Sequence, residues 1–172
     1  MRLNSTAGAL LGLLRRGPVT PYRLAALANE TIGNFWTVTQ SQVYRELAAM
    51  DQAGLVARGE RGPRDRRLYQ ITDAGRAAFA AWVEEDPEPE HLRIPLLLKL
   101  TFLDDLDPAR VRAVVRRHRD LHAARLAGYE ARERELAAQG VPEARWLTLR
   151  FGLAYERAAL AWFAELPPEL RP

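Results

Sequence analysis

Residues 35–56 read FWTVTQSQVYRELAAMDQAGLV. The second half has the spacing of an amphipathic helix, with Val43, Leu47 and Met50 on one face. The first half differs. Thr37, Thr39, Gln40, Ser41, Gln42 and Tyr44 crowd its opening. Short polar side chains compete with the backbone for hydrogen bonds, so they suit helix caps and turns better than helix interiors. A cap needs one of them, Thr39 or Ser41. Five polar residues in the six positions 39–44 need a further reason. The back of this helix packs on the protein, and its front leaves it.

The flanking sequence says what the front is for. Residues 6–15, TAGALLGLLR, are apolar at helical spacing and stop at Gly17-Pro18, with Asn4, Ser5 and Thr6 as candidate N-caps. Thr20 caps a second helix whose first position is Pro21, where the missing N–H does no harm. Its inward residues are Leu24, Leu27, Ala28 and Ile32. The third helix runs from about Thr39 to Ala53, with Gly54 as its C′ residue. Two short β-runs, Leu55-Val56 and Leu68-Tyr69-Gln70-Ile71, flank a polar Gly-Pro-Arg-Asp turn and predict a hairpin. Thr72 or Asp73 caps a fourth helix that turns Phe79, Trp82 and Val83 inward. Helix, helix, helix, hairpin, helix is the order of a winged helix-turn-helix. In that geometry the third helix enters the major groove by its N-terminal end. Short hydroxyls and amides can meet phosphates and base edges there, and the helix N-terminus itself favours an anion.

Charge and composition agree. The chain has 172 residues, 48% hydrophobic and 27% charged, the range of one or two globular domains. It has no cysteine, hence no disulfide framework and no thiolate metal site. The early residues lack a signal peptide's long apolar region, and no apolar run reaches the roughly 18 residues of a membrane span. A cytoplasmic protein is expected. The formal net charge of +3 falls entirely in residues 1–85. It matches one window holding Arg58, Arg61, Arg64, Arg66 and Arg67 against Glu60 and Asp65. A local cluster of this kind points to a polyanionic partner.

The acidic, proline-rich stretch EEDPEPEHLRIP separates a first domain, residues 1–85, from a second, residues 86–172. The second domain is helical throughout. Asp107-Pro108 begins a long helix to about Gln139, broken by Gly140-Val141-Pro142. A last helix runs from about Pro142 to Glu165. The long helix carries Val111, Val115, His118, His122, Leu126 and Tyr129, close to heptad spacing, and the last carries Leu149 and Leu153. Stripes of this width predict helix pairing and a homodimer, with intrachain core as the open alternative. Trp146, Tyr155, Trp162 and Phe163 offer the wall of a pocket for a small aromatic effector, with core packing again the alternative.

Residues 8–83 resemble the PadR family of bacterial transcriptional regulators. The specific parts are FW followed by SQVYREL, then GLV, then YQITDAGR. IPLLLKLTFLDDL resembles the start of the C-terminal region in the longer, phenolic-acid-repressor-like subfamily. Pro21-Tyr22 departs from the Gly-Tyr frequent in the family. The resemblance implies a homodimeric repressor with interlocking C-terminal helices, released by a ligand or stress signal. It places DNA contacts on Thr39, Gln40, Ser41, Gln42, Tyr44 and Arg45 and the wing on Arg58 through Arg67. Phe35 is expected in the core, and Trp36 is left unassigned.

Other constellations carry less. HRDLHAAR resembles a kinase catalytic loop but lacks its asparagine and lies mid-helix. His118 and His122, at i and i+4, lack a third metal ligand, and packing against a partner helix is the better account. Asp104, Asp105 and Asp107 lack calcium-loop spacing. With no phosphate loop and no nucleophile context, neither an enzyme nor a cofactor is expected. The expected protein is mainly α with a small β-hairpin: an N-terminal winged helix-turn-helix and a C-terminal long-helix dimerisation region. The expected function is sequence-specific DNA binding at an inverted repeat. The rival is a winged-helix module for protein–protein contact.

Overall fold

The computed structural model describes residues 2–61, 67–90, 92–102 and 107–171. It forms two compact units, Met1–Pro89 and Glu90–Pro172. The first contains α1 (Ser5–Leu14), α2 (Pro21–Ile32), α3 (Gln40–Gln52), β1 (Val56–Arg61), β2 (Arg67–Ile71) and α4 (Asp73–Glu84). The second contains α5 (Pro95–Leu100), α6 (Pro108–Ala138) and α7 (Leu147–Glu165). No described helix is long and apolar enough to cross a membrane.

Side-chain caps set the helix starts in the first unit. Asn4, Thr20, Thr39 and Thr72 each accept a backbone N–H from the first turn that follows, satisfying donors that no helical carbonyl can reach. Gly54 ends α3 with φ 71°, a left-handed value that costs a Cβ-bearing residue about 1 kcal/mol. Thr72 is a junction. Its hydroxyl donates to the Gly54 carbonyl at 2.8 Å and accepts from the Gly75 N–H at 3.0 Å, tying the end of α3 to the start of α4.

The core of this unit is made by Leu10, Leu11, Leu14, Leu24, Ala28, Val38, Val43, Leu47 and Met50, closed by Val56 and Ile71. β1 and β2 pair antiparallel with Val56 opposite Ile71 and Arg58 opposite Tyr69, and the register shifts before Arg61 meets Arg67. Val19 exchanges two backbone hydrogen bonds with Tyr69, at 2.9 and 3.1 Å, covering the other edge of β2. α4 lies against α1 through Trp82 and Phe79, which fill the space left by the missing side chains of Gly8 and Gly12. Val83, expected inward, is exposed. α4 is a peripheral helix covered along a narrow stripe, and the stripe stops at Trp82.

In the second unit α6 and α7 run antiparallel across a short connection. Val111 and Val115 of α6 pack with Phe163, Leu166 and Leu96. Arg157 bonds Glu130 at 3.2 Å between the helices. Gly152 lets the Tyr129 ring approach, since a Cβ there would sit 3.0 Å from it. The last helix begins at Leu147 rather than near Pro142. A short 3-10 turn at Glu143–Arg145 precedes it, and Trp146 sits at φ −132°, ψ 29°. That break turns the indole into the core, where its Nε1 donates to the Val141 carbonyl at 3.1 Å.

Candidate nucleic-acid interface and ligand cavity

α3 presents two chemically distinct faces. Val43, Glu46, Leu47 and Met50 are buried, whereas Gln40, Ser41, Tyr44 and Arg45 are exposed. The N-terminus is held by a capping box. The Gln42 N–H donates to Thr39 Oγ1 at 3.2 Å, and Gln42 Oε1 accepts from the Thr39 N–H at 2.8 Å and its hydroxyl at 3.0 Å. A bidentate contact to adenine needs the amide oxygen, and here that oxygen is already bonded twice. Gln42 and Thr39 shape the helix tip, while Gln40, Ser41, Tyr44 and Arg45 project from it.

Two residues that hold α3 in place, Glu46 and Asn29, had no distinctive sequence signal, and Asn4, a candidate cap in the sequence, works with them. Glu46 is buried at 7% exposure and accepts from Asn4 Nδ2 at 3.2 Å. Asn4 caps α1 with its other amide atom at 2.8 Å, so one side chain couples α1 to the back of α3. Asn29 brackets the segment leading into α3, donating to Val38 O at 3.0 Å and accepting from Val38 N–H at 3.4 Å. Of the aromatic pair ahead of α3, Trp36 Nε1 donates to Thr6 Oγ1 at 3.1 Å. Phe35, expected in the core, is 54% exposed. Val38 fills the core position instead, because the turn after α2 carries Phe35 outward.

The wing is only partly described. Arg58 is turned back onto the end of α3, its Nε donating to Asp51 Oδ2 at 2.6 Å. That hydrogen bond, and then the charge of Asp51, holds the guanidinium more firmly protonated. Arg58 therefore braces the wing against α3. Arg67 stands opposite Arg61 in the hairpin register. Arg64 and Arg66 lie outside the described residues.

The second unit contains a cavity of about 430 Å³. Tyr155, Trp162 and Phe163 of α7 form an aromatic wall, while Trp146 lies elsewhere. His118, His122 and Arg125 enter from α6, and Arg93 from the segment ahead of α5. His122 Nδ1 is bonded to Glu156, whose carboxylate is buried, and Arg125 Nη1 lies 4.0 Å from the same group. His122 also packs against Phe163, with ring centroids 5.6 Å apart. Burial, and then the neighbouring His122, pushes His118 below the usual imidazole range. Burial, and then Glu156, raises the Tyr129 phenol.

The stripe expected to pair with another chain is largely covered within this one. Val111, Val115 and Leu153 are buried, and His122 is bonded to Glu156 of the same chain. Leu121, Leu147, Phe151 and Tyr155 stand exposed instead.

A helix with a polar front, a two-stranded wing beside it and a separate helical unit define a winged-helix DNA-binding transcriptional regulator. Residues 10–81 match the Transcriptional regulator PadR-like family, and residues 92–171 match the Virulence activator alpha C-term family. The match to the PadR-like family of transcriptional regulators thus covers the winged-helix unit, and the second match covers the helical unit. It is 28% identical over 168 residues to a probable transcriptional regulator of Mycobacterium tuberculosis, covering 87% of this chain and 89% of that one. Bacillus subtilis PadR in complex with operator DNA has a TM-score of 0.75 at 24% identity, covering 92% and 95% of the two chains. The same protein with p-coumaric acid gives 0.70 at 25%, covering 92% and 94%. The Vibrio cholerae virulence activator AphA gives 0.72 at 26%, covering 96% of each chain.

Proposed function

We propose that the protein is a homodimeric repressor that binds an inverted-repeat operator and is released by a small aromatic anion. The observation that carries the DNA-binding part is the split character of α3. Gln40, Ser41, Tyr44 and Arg45 project from a rigidly capped N-terminus whose back is anchored in the core. A protein-docking face would carry a cluster of aromatic or aliphatic anchors, and this one has Tyr44 alone. The solved complex of Bacillus subtilis PadR with operator DNA supports the same reading.

The effector part rests on the α6–α7 cavity. An aromatic wall facing Arg93, His118 and Arg125 suits a flat ring with a negative end. The p-coumaric acid complex of Bacillus subtilis PadR supports that ligand class. The homodimer rests on the exposed Leu121, Leu147, Phe151 and Tyr155, an apolar set that water alone covers poorly.

The test is fluorescence anisotropy with DNA from upstream of the protein's own gene against a scrambled duplex, across a salt series. Specific binding should be tighter, with log affinity falling linearly in log salt by about 0.9 per neutralised phosphate. Equal weak binding to every upstream and scrambled duplex would remove sequence-specific recognition from the proposal.

A further inference from the structure

We infer that the cavity takes up its anionic ligand together with one proton, held by His118, so that the response to the effector depends on pH. The inference rests on the effector reading above and adds its regulation. Its basis is the arrangement of charge around the cavity. Glu156 is the carboxylate beside it, and Glu156 is already bonded to His122 and approached by Arg125. His122 is thus matched before any ligand arrives. His118, one helical turn away on the same face of α6, lines the cavity and has no carboxylate partner among the described residues.

Partial burial, and then the nearby basic groups, disfavours the charged form of His118 in the empty site. On α6 these are His122, Arg117 and Arg125, and on α5 it is Lys99. Arg93 ahead of α5 lines the same cavity, and α7 contributes the Tyr155 phenol and the already engaged Glu156. An arriving carboxylate reverses the balance, because an opposite charge within about 4–6 Å favours the protonated imidazole. One proton passes from solvent to His118, and the ligand's charge is then met by imidazolium as well as guanidinium.

The sign follows from linkage. The group binds its proton more tightly in the complex than in the empty site. Affinity is therefore highest below the empty-site range of His118, which lies under the ordinary histidine value. It falls as pH rises through the range of the complex, by at most about tenfold per pH unit for one proton.

The experiment is calorimetric titration of the full-length protein with p-coumarate and with its uncharged methyl ester, from pH 5.5 to 8. Two buffers of different ionisation enthalpy count the protons taken up. The expected result is net proton uptake, with p-coumarate binding weakening at higher pH. The ester should bind with little pH dependence. His118→Asn should bind p-coumarate with a flattened profile and lose the uptake. The wild-type proton count stands even if that variant folds poorly. Binding of p-coumarate without proton uptake would overturn the inference and leave the effector reading intact. Uptake that persists in a folded His118→Asn protein would also overturn it, moving the proton to another group. Failure of both compounds to bind at any pH would remove the effector reading and this inference with it.

Discussion

Single side chains divide the work at the tip of α3 between shaping and contact. Thr39 and Gln42 bond to each other and shape the first turn, so their loss should act mainly through stability. Thr39→Ala is expected to cost about 0.5–2 kcal/mol in urea unfolding, as cap removals do, while Thr39→Ser is nearly neutral. Both specific and scrambled DNA should then weaken together. Arg45→Ala and Gln40→Ala should behave differently. A side chain that reads a base contributes about 1–3 kcal/mol of discrimination at its own position. Anisotropy on operator variants should show relaxed preference there, with unfolding unchanged for Gln40→Ala and at most slightly weakened for Arg45→Ala, whose guanidinium also pairs with Glu46 at 3.5 Å. An equal loss on specific and scrambled DNA would assign the residue to phosphate. The polar cluster was legible from the sequence, but its internal division was not. Spacing shows that Gln42 and Thr39 are three apart, as a capping box requires, and equally that both belong to an exposed helix tip. Only the hydrogen bonds separate the two roles. Glu46 was illegible for a related reason, since a buried glutamate among core positions is recognised only through its partners, Asn4 and the neighbouring Arg45 at 3.5 Å.

At the scale of elements, most starts and stops were readable, the start of α7 excepted, and covered widths were not. Thr20-Pro21, Asp107-Pro108 and Gly54 act as local backbone devices, and the helices begin and end at them. The inward or outward position of Val83 and Phe35 depends on what lies over each element, which periodicity does not encode. The contact of α1 with α4 belongs to the same class. Gly8 and Gly12 of the apolar α1 are where Trp82 and Phe79 lie down. A Cβ at Gly8 would sit 2.4 Å from the Trp82 ring, and at Gly12 2.8 Å from Phe79. Alanine normally improves a helix by about 1 kcal/mol over glycine. Here the overpacking penalty of about 1–3 kcal/mol should win. Gly8→Ala is thus expected to lower the thermal midpoint and the urea midpoint of the protein. A stabilised Gly8→Ala protein would mean that α4 can shift away from α1 without loss.

For the whole molecule, the sequence left open whether the apolar stripes of the two long helices pair within one chain or between two, and it did not show which part remains uncovered. α6 and α7 each carry apolar residues on more than one face. Intrachain pairing consumes Val111, Val115, Leu153 and Phe163 and leaves Leu121, Leu147, Phe151 and Tyr155 exposed. Leu147, Phe151 and Tyr155 follow one another at i, i+4 and i+8 on α7, and the last two rings stack with centroids 6.4 Å apart. If this ridge joins two copies, a charge placed on it must break the dimer without disturbing the winged helix. Phe151→Glu together with Leu147→Glu should sediment as a monomer at micromolar concentration with unchanged helix content. Joining two half-site contacts raises overall affinity by about 10²–10⁴ over one alone. The monomer should lose a factor of that order on the operator and bind a single half-site as the wild-type protein does. Dimerisation and operator affinity would then fail together while half-site recognition survives, which separates assembly from reading. A double variant that remains a tight dimer would move the interface off α7 and leave its exposed aromatics without this role.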